Sequence, residues 1–418
     1  MTVTVPTVEL LTSRTKLIAG HDQTVDVLAR VTPPARAENG KQRPRLNLSL
    51  VVDRSGSMNG DKMERARSAT AYCIDQLIAT DRVSIVVFDD QIELLVPSQS
   101  VENRELIKDR LSSVYARNST ALHAAWVHGG MQVSEHLDSV AVNRVLLVTD
   151  GLANIGLTNT DEIVSQAAGL FARGVSTSTI GIGEDFNEDL LIPMAMAGGG
   201  NSWHVEKPED MQRIFSVELQ GLMSQFAHSA TLGAIPADGV RVVDFLNDYA
   251  LNETGRYKLP DLQVGTSLEM VLQLRVPAQA AGTRLRLLDI KIGYTPQDRP
   301  VAEVLKGILE VEFDSEETVN GLPVNHEVAK AASLLMNARA RKEAIQYMDQ
   351  GNRAMAGHVL ASALGATQVA CAPMAASPEV QAEYKALAEL QASLTKPEQD
   401  KASRKQMAYA ALSRQRGK

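Results

Sequence analysis

Asp53-Arg54-Ser55-Gly56-Ser57-Met58 places a carboxylate and two hydroxyls within one short segment, directly after the aliphatic run Leu46–Val52. Groups of the same chemical kind stand far along the chain. Thr120 precedes a helical pattern, and Asp150 lies in Thr149-Asp150-Gly151 after the run Val145–Thr149. Together these are two carboxylates and three hydroxyls from three loops. Hard oxygen donors of this kind suit Mg²⁺ or Mn²⁺ and not Zn²⁺, which prefers His or Cys. Mg²⁺ takes about six oxygens near 2.0 to 2.1 Å and commonly retains water, so hydroxyls can coordinate directly while carboxylates act partly through water. The Asp-x-Ser-x-Ser run alone could equally cap the helix that follows it. What sets it apart is its combination with Thr120 and Asp150.

Those groups can meet only if the intervening elements bring the three loops to one place. Leu46–Val52 reads as a strand buried on both faces. Asp61–Ala79 carries Met63, Ala66, Thr70, Cys73, Ile74 and Leu77 at helical spacing. Val83–Phe88 is a second buried strand, with Gln91–Val96 a companion joined through Asp89-Asp90. A short helix over Arg104–Leu111, a longer one over 120–137 and a strand over Val145–Thr149 follow. Helix 160–173, strand 175–182, helix 187–197, strand 202–205 and helix 208–226 complete the series. Alternation of this kind predicts an α/β fold: a doubly wound, mostly parallel sheet with helices on both faces and one antiparallel edge strand. In such sheets ligands bind outside the carboxyl ends of the strands, where Asp53 and Asp150 fall.

The flanks follow a period of two. Val25, Val27, Ala29 and Val31 alternate with mostly polar residues, as do Leu268, Met270, Leu272, Leu274 and Val276, whose opposite face has Val271 as one aliphatic exception and is otherwise expected to meet solvent. Leu285 and Leu287 alternate until Leu288 shifts the phase, the mark of a bulge. Two or three strands alone make no stable domain. Residues 1–35 and 229–315 are therefore expected to form one all-β sandwich into which the α/β domain, 44–228, is inserted, across a turn-rich connector at 33–44. A helical region at 322–418 completes the chain, with helices over Asn325–Gln350, Ala354–Ala370 and Pro378–Leu394, the last capped by Ser377. The tail carries Lys401, Arg404, Lys405, Arg414, Arg416 and Lys418 and reads as a solvated helix end.

Composition narrows the function classes. A net charge of −8 argues against nucleic-acid binding. Two cysteines, Cys73 and Cys371, exclude a disulfide framework and favour a cytoplasmic setting. The opening MTVTVPTVELL lacks the basic and apolar parts of a secretory signal, and the long uncharged stretch Ala354–Pro378 is too rich in small and polar residues for a membrane span. His123, His128 and His136 lack the spacing of a zinc pair. Gly181-Ile182-Gly183 lacks the third glycine of a dinucleotide fingerprint, and neither a Walker A loop, HExxH nor GxSxG occurs.

At Asp53, Ser55, Ser57, Thr120 and Asp150 the chain resembles the von Willebrand factor type A (VWA) family, of the bacterial multidomain kind. That family's metal-ion-dependent adhesion site reads Asp-x-Ser-x-Ser with a Thr and an Asp on later loops. The resemblance covers about residues 44–228 and implies a six-stranded sheet with a cation at its top, Mg²⁺ or else Mn²⁺ or Ca²⁺. It also implies a protein partner whose Asp or Glu fills the open coordination position. One departure is Asn118-Ser119 before Thr120, where many bacterial members have two glycines. Arg54 could add a charge-assisted contact or stay solvated. The expected function is therefore non-enzymatic, divalent-cation-dependent protein binding. An alternative, by resemblance to the A domains of magnesium-chelatase-like and MoxR-associated systems, is an adaptor or substrate-recognition subunit of an AAA+ ATPase. A metal-dependent hydrolase is less favoured, because no base or nucleophile is evident beside the cluster.

Overall fold

Three strands precede the central one: β1 (Thr7–Thr12), β2 (Lys16–Ile18) and β3 (Gln23–Thr32). The computed structural model describes residues 5–35, 43–117, 119–151, 153–299, 301–394 and 400–416, so Asn118 and most of the connector, 36–42, lie outside the described residues. The chain divides into two compact units, Lys41–Gln225 with Gln297–Pro300, and Met1–Gly40 with Phe226–Pro296 and Val301–Lys418.

The first unit alternates strand and helix: β4 (Leu46–Asp53), α1 (Asp61–Gln76), β5 (Arg82–Phe88), β6 (Ile92–Ser100), α2 (Arg104–Ser112), α3 (Leu122–Ser134), β7 (Val142–Thr149), α4 (Thr160–Ala172), β8 (Ser176–Ile182), α5 (Glu188–Ala197), β9 (Gly199–Val205) and α6 (Met211–Met223). Its six strands run in the order β6-β5-β4-β7-β8-β9. Every neighbouring pair is parallel except β5 with β6, which is the expected antiparallel edge. All eight residues of β4 and of β7 are buried, because helices cover both faces. On one face Leu48, Leu50 and Val52 pack with Ala69 and Cys73 of α1 and with Ile214 and Phe215 of α6. On the other, α3 approaches so closely that a Cβ on Gly129 would stand 2.4 Å from Val51 Cγ2; only glycine permits that contact. The chain leaves β4 toward β5 on one side and later returns as β7 on the other. Their adjacent carboxyl ends are the topological switch point, where doubly wound sheets bind ligands.

The second unit continues with β10 (Gln225–Pro236), β11 (Arg241–Phe245), β12 (Tyr257–Lys258), β13 (Leu262–Gln263), β14 (Leu268–Val276), β15 (Arg284–Pro296) and β16 (Glu303–Asp314). One sheet has the order β1-β3-β14-β11; the other runs β12-β10-β15-β16-β2, with β13 beside β10. A single core between them takes Val25, Val27, Ala29 and Val31 from β3, Met270, Leu272 and Leu274 from β14, and Leu287, Leu288, Ile290 and Ile292 from β15. The phase change near Leu288 is a register irregularity between Arg286 and Leu288 that leaves both leucines buried. Strand pairing starts earlier than the expected 229, because β10 begins at Gln225.

The opposite face of β3 and β14 does not meet solvent throughout, contrary to expectation. After α7 (Glu316–Asn320), the helix α8 (His326–Asp349) lays Val328, Ala331, Ala332 and Leu335 on Leu28 and Val271. The aliphatic exception at Val271 is thus a docking position. α9 (Arg353–Ala370), α10 (Pro378–Ser393) and α11 (Asp400–Gln415) complete the helical part. The basic tail is likewise no solvated end. Ser403, Lys405, Met407 and Ala411 are buried, Arg404 pairs with Asp349 at 2.9 Å, and Arg414 pairs with Glu379 at 2.7 Å. Among the described residues no helix is long and apolar enough to cross a membrane. Cys73 and Cys371 are both buried and free.

Among the ion pairs that hold α8 to the sandwich, two make that docking acid-sensitive. Arg339 grips Asp244 through both nitrogens, at 2.6 and 2.9 Å, and Arg30 reaches Glu327 at 2.7 Å. The hydrogen bond from Arg339 holds the Asp244 carboxyl below the usual carboxylate range, and the one from Arg30 does the same for Glu327. A depressed folded value stabilises fully above the unfolded carboxylate range, near pH 4, and that contribution is lost as pH falls through the lower folded values. Acidification from pH 5 to 2.5 should therefore lower the melting temperature of the chain. Arg339→Met should remove part of that dependence, on the order of 1 kcal/mol after allowing for solvent screening; circular dichroism melts of both proteins across this range check it.

Candidate metal centre

Four of the expected site residues sit where a strand of the parallel sheet gives way to a loop. Asp53 ends β4, Ser55 and Ser57 follow it, and Asp150 follows β7. Thr120 lies just ahead of α3, whose first turn begins later than the expected helix start at 120. Its backbone carbonyl accepts from the N–H groups of Asn154 and Ile155, both at 3.3 Å, while its own N–H donates to Asn154 Oδ1 at 3.0 Å. The neighbouring Ala121 N–H donates to the Asp89 carbonyl at 2.7 Å. Backbone bonds from Arg54 to Phe88 and from Arg117 to Arg54, at 2.8 and 2.7 Å, tie the first loop to the same framework.

The structure gathers all five residues. A Cβ built on Gly151 would lie 3.3 Å from Thr120 Oγ1, 3.7 Å from Asp53 Oδ2 and 3.8 Å from Ser57 Oγ, so oxygens from two loops surround a point on the third. The Ser57 hydroxyl donates to Asp150 Oδ1 at 2.7 Å and stands 3.2 Å from Ser55 Oγ. Because its proton points at Asp150, the lone pairs of Ser57 remain available to a cation. Asp53 Oδ1 accepts from the Ser55 N–H at 2.7 Å and its Oδ2 from the Thr149 hydroxyl at 2.5 Å. Asp53 and Asp150 are fully buried, whereas Ser57 is exposed and opens the cluster to solvent. Burial raises the Asp53 carboxyl to about 6, with the charge of Asp150 adding to the rise and the bonds from Thr149 and Ser55 opposing it. Two buried carboxylates at the mouth of a sheet, next to available hydroxyl oxygens, make a donor set that fits a hard divalent cation.

Arg54 is neither solvated nor aimed at the cluster. It is buried, 2.7 Å from Glu93 and 3.4 Å from Asp89. Burial works to raise the Asp89 carboxyl, but the Gln91 N–H, the hydrogen bond from Arg117 and the charges of Arg54 and Arg117 outweigh it and hold the group below its usual range. That pair braces the loop. No group of three or more His, Cys, Asp or Glu able to hold a metal is found among the described residues, and His123 stands 2.9 Å from Gln166 Oε1.

Residues 47–217 match the family profile described as "von Willebrand factor type A domain". This segment is a VWA domain. It is 28% identical over 186 residues to an uncharacterized protein of Synechocystis sp., covering 44% of each chain. It is also 26% identical over 198 residues to the uncharacterized protein YfbK of Escherichia coli, covering 47% of this chain and 34% of that one. Human inter-alpha-trypsin inhibitor heavy chain H4 shares 25% over 190 residues, 44% of this chain and 20% of its own. The matched stretch thus spans less than half the length of each of these relatives. Among solved structures, a von Willebrand factor type A protein from Catenulispora acidiphila superposes with a TM-score of 0.74 at 16% identity, over 97% of this chain and 96% of its own. The ArnB paralog VWA2 from Sulfolobus acidocaldarius gives 0.62 at 18%, over 97% and 98%. These similarities show that the fold, including the added strands and helices, extends along nearly the whole chain.

Two residues at the mouth of this VWA domain escape a reading of the motif alone. Lys62 donates to Asp150 Oδ2 at 2.5 Å from the first turn of α1. Its place just after Gly60 was the available signal, since the turn following a strand-end loop faces that loop. Asn154 positions Thr120 from an irregular stretch with no periodic pattern, so nothing in the sequence singled it out.

Proposed function

We propose that the chain captures a partner protein through a divalent cation held by Asp53, Ser55, Ser57, Thr120 and Asp150, a metal-ion-dependent adhesion site. The observation that carries this reading is the point beside Gly151, in the loop after β7, to which the loop after β4 and the segment ahead of α3 bring oxygens of Asp53, Ser57 and Thr120. Mg²⁺ is the best-suited ion, with Mn²⁺ or Ca²⁺ close in donor preference. Bound there, the ion supplies a concentrated positive charge. Neutral hydroxyls leave that charge largely uncompensated, so an Asp or Glu of the partner is strongly favoured as the remaining ligand. We read the role as non-catalytic: both oxygens of Asp53 and both of Asp150 already accept hydrogen bonds, which engages these two carboxylates within the cluster.

Gly151→Ala tests the site without removing a single donor. Its added methyl would occupy the point where the oxygens converge, 3.3 Å from Thr120 Oγ1. Mg²⁺ affinity, measured by calorimetric titration of the intact chain, should fall by roughly tenfold or more while the melting temperature in EDTA stays close to that of the parent. Unchanged Mg²⁺ binding in this variant would place the cation elsewhere.

A further inference from the structure

We propose that Lys62 competes with the divalent cation for Asp150, so that the chain's own ammonium group sets how tightly the site takes metal. The inference rests on the metal-site reading above. Lys62 Nζ lies 2.5 Å from Asp150 Oδ2, on the carboxylate whose other oxygen orients the Ser57 hydroxyl. An ion held by Ser57 would sit within a few ångströms of that ammonium. Asp150 is fully buried and Lys62 keeps 28% of its side chain exposed, so the pair lies where water screens charge only in part. Two positive charges on one buried carboxylate repel each other, and each lowers the affinity of the other.

Solvent gives Lys62 a second place to go, since 28% of its side chain is exposed. In its bond to Asp150, its Cε and Nζ run past Gly183 in the loop after β8, 3.7 Å from where a Cβ of that glycine would stand, so no side chain at 183 fixes the ammonium there. A flexible, partly exposed four-carbon stem can swing toward solvent at small cost, and a hydrated ammonium is well served there. Metal binding would then be an exchange of one cation for another on Asp150. Loss of Lys62 should favour the metal, because nothing has to be displaced.

The test is calorimetric titration of MgCl₂ into the intact chain, its Lys62→Met variant and its Lys62→Arg variant, each checked for folding by circular dichroism. Lys62→Met should bind Mg²⁺ about tenfold or more tightly than the parent. Lys62→Arg, which keeps the charge, should stay near the parent. Equal or weaker binding by Lys62→Met would overturn the proposal and make Lys62 a support that holds Asp150 for the metal. A gain in Lys62→Arg as large as in Lys62→Met would also overturn it, since charge would not be the cause. Absence of Mg²⁺ binding by parent and Lys62→Met alike, with both folded, would instead remove the metal site, and the competition with it.

Discussion

Asp150→Ala should lose about 100-fold or more in Mg²⁺ affinity, and with it all Mg²⁺-dependent partner capture, while remaining folded. The metal loses one of two carboxylates. It also loses the acceptor that turns the Ser57 hydroxyl so that its lone pairs face the cation. Stability should respond differently, because Asp150 stands in a loop after β7 and belongs to no apolar core. Its two hydrogen-bond donors, Ser57 and Lys62, both reach solvent and can be rehydrated. A buried carboxylate and its repulsion of Asp53 disappear at the same time, which offsets the lost bonds. Asp53→Ala is the less clean variant, since it strands the buried Thr149 hydroxyl and the Ser55 N–H. The melting temperature of Asp150→Ala in EDTA should lie within a few degrees of the parent. Pull-downs with immobilised parent and variant, with and without EDTA, followed by identification of what is retained, check the binding half. Equal recovery with and without EDTA would defeat the adhesion mechanism.

The α/β sheet was readable because its strands carry their burial in composition. β4 and β7 each carry five aliphatic residues in eight, and both of their faces are covered, so a half-exposed period-two reading would have been wrong for them. The five cluster residues were readable for a related reason: polar side chains stand abruptly at the ends of apolar runs. Their partners were less accessible. Lys62 has only its place two residues after Gly60 to mark it among the surface lysines of amphipathic helices, and the packing of α1 is what brings it to Asp150. Thr149 is the last residue of its strand, and nothing in the alternation says that its hydroxyl turns back to Asp53. On the sandwich, Leu28 and Val271 broke the alternation for a cause lying about 60 residues beyond Val271, where α8 supplies the apolar partners. The tail misled through charge. Its arginines are matched by acids on α8 and α10, a pairing that a local count of basic residues cannot show.

Glu383→Ala should be among the most destabilising single changes in the helical part, at about 3 to 5 kcal/mol, because it would strand a buried cation. Arg341 on α8 is 1% exposed, and Glu383 on α10 meets it at 2.8 Å. The Nε and Nη1 of this guanidinium have no hydrogen-bond partner among the described residues, so Glu383 is the counter-charge that makes its burial tolerable. Burial pulls the Arg341 guanidinium below its ordinary value, and the charge of Glu383 opposes that pull. The carboxylate does more than balance charge. It accepts from Asn337 Nδ2 at 3.1 Å, Asn337 accepts from the Thr367 hydroxyl at 3.0 Å, and Arg414 of α11 lies 3.7 Å away, so α8, α9, α10 and α11 meet around it. Removing Glu383 alone leaves Arg341 and Asn337 without this acceptor. Replacing the ion pair with apolar groups of similar volume, as in Arg341→Met with Glu383→Leu, should recover much of the loss, since the desolvation cost of both charges is removed together. Urea unfolding of the parent, the two single variants and the double variant closes this cycle. A Glu383→Ala cost under about 1 kcal/mol would mean that water reaches Arg341 and that the helices are not held together by this pair.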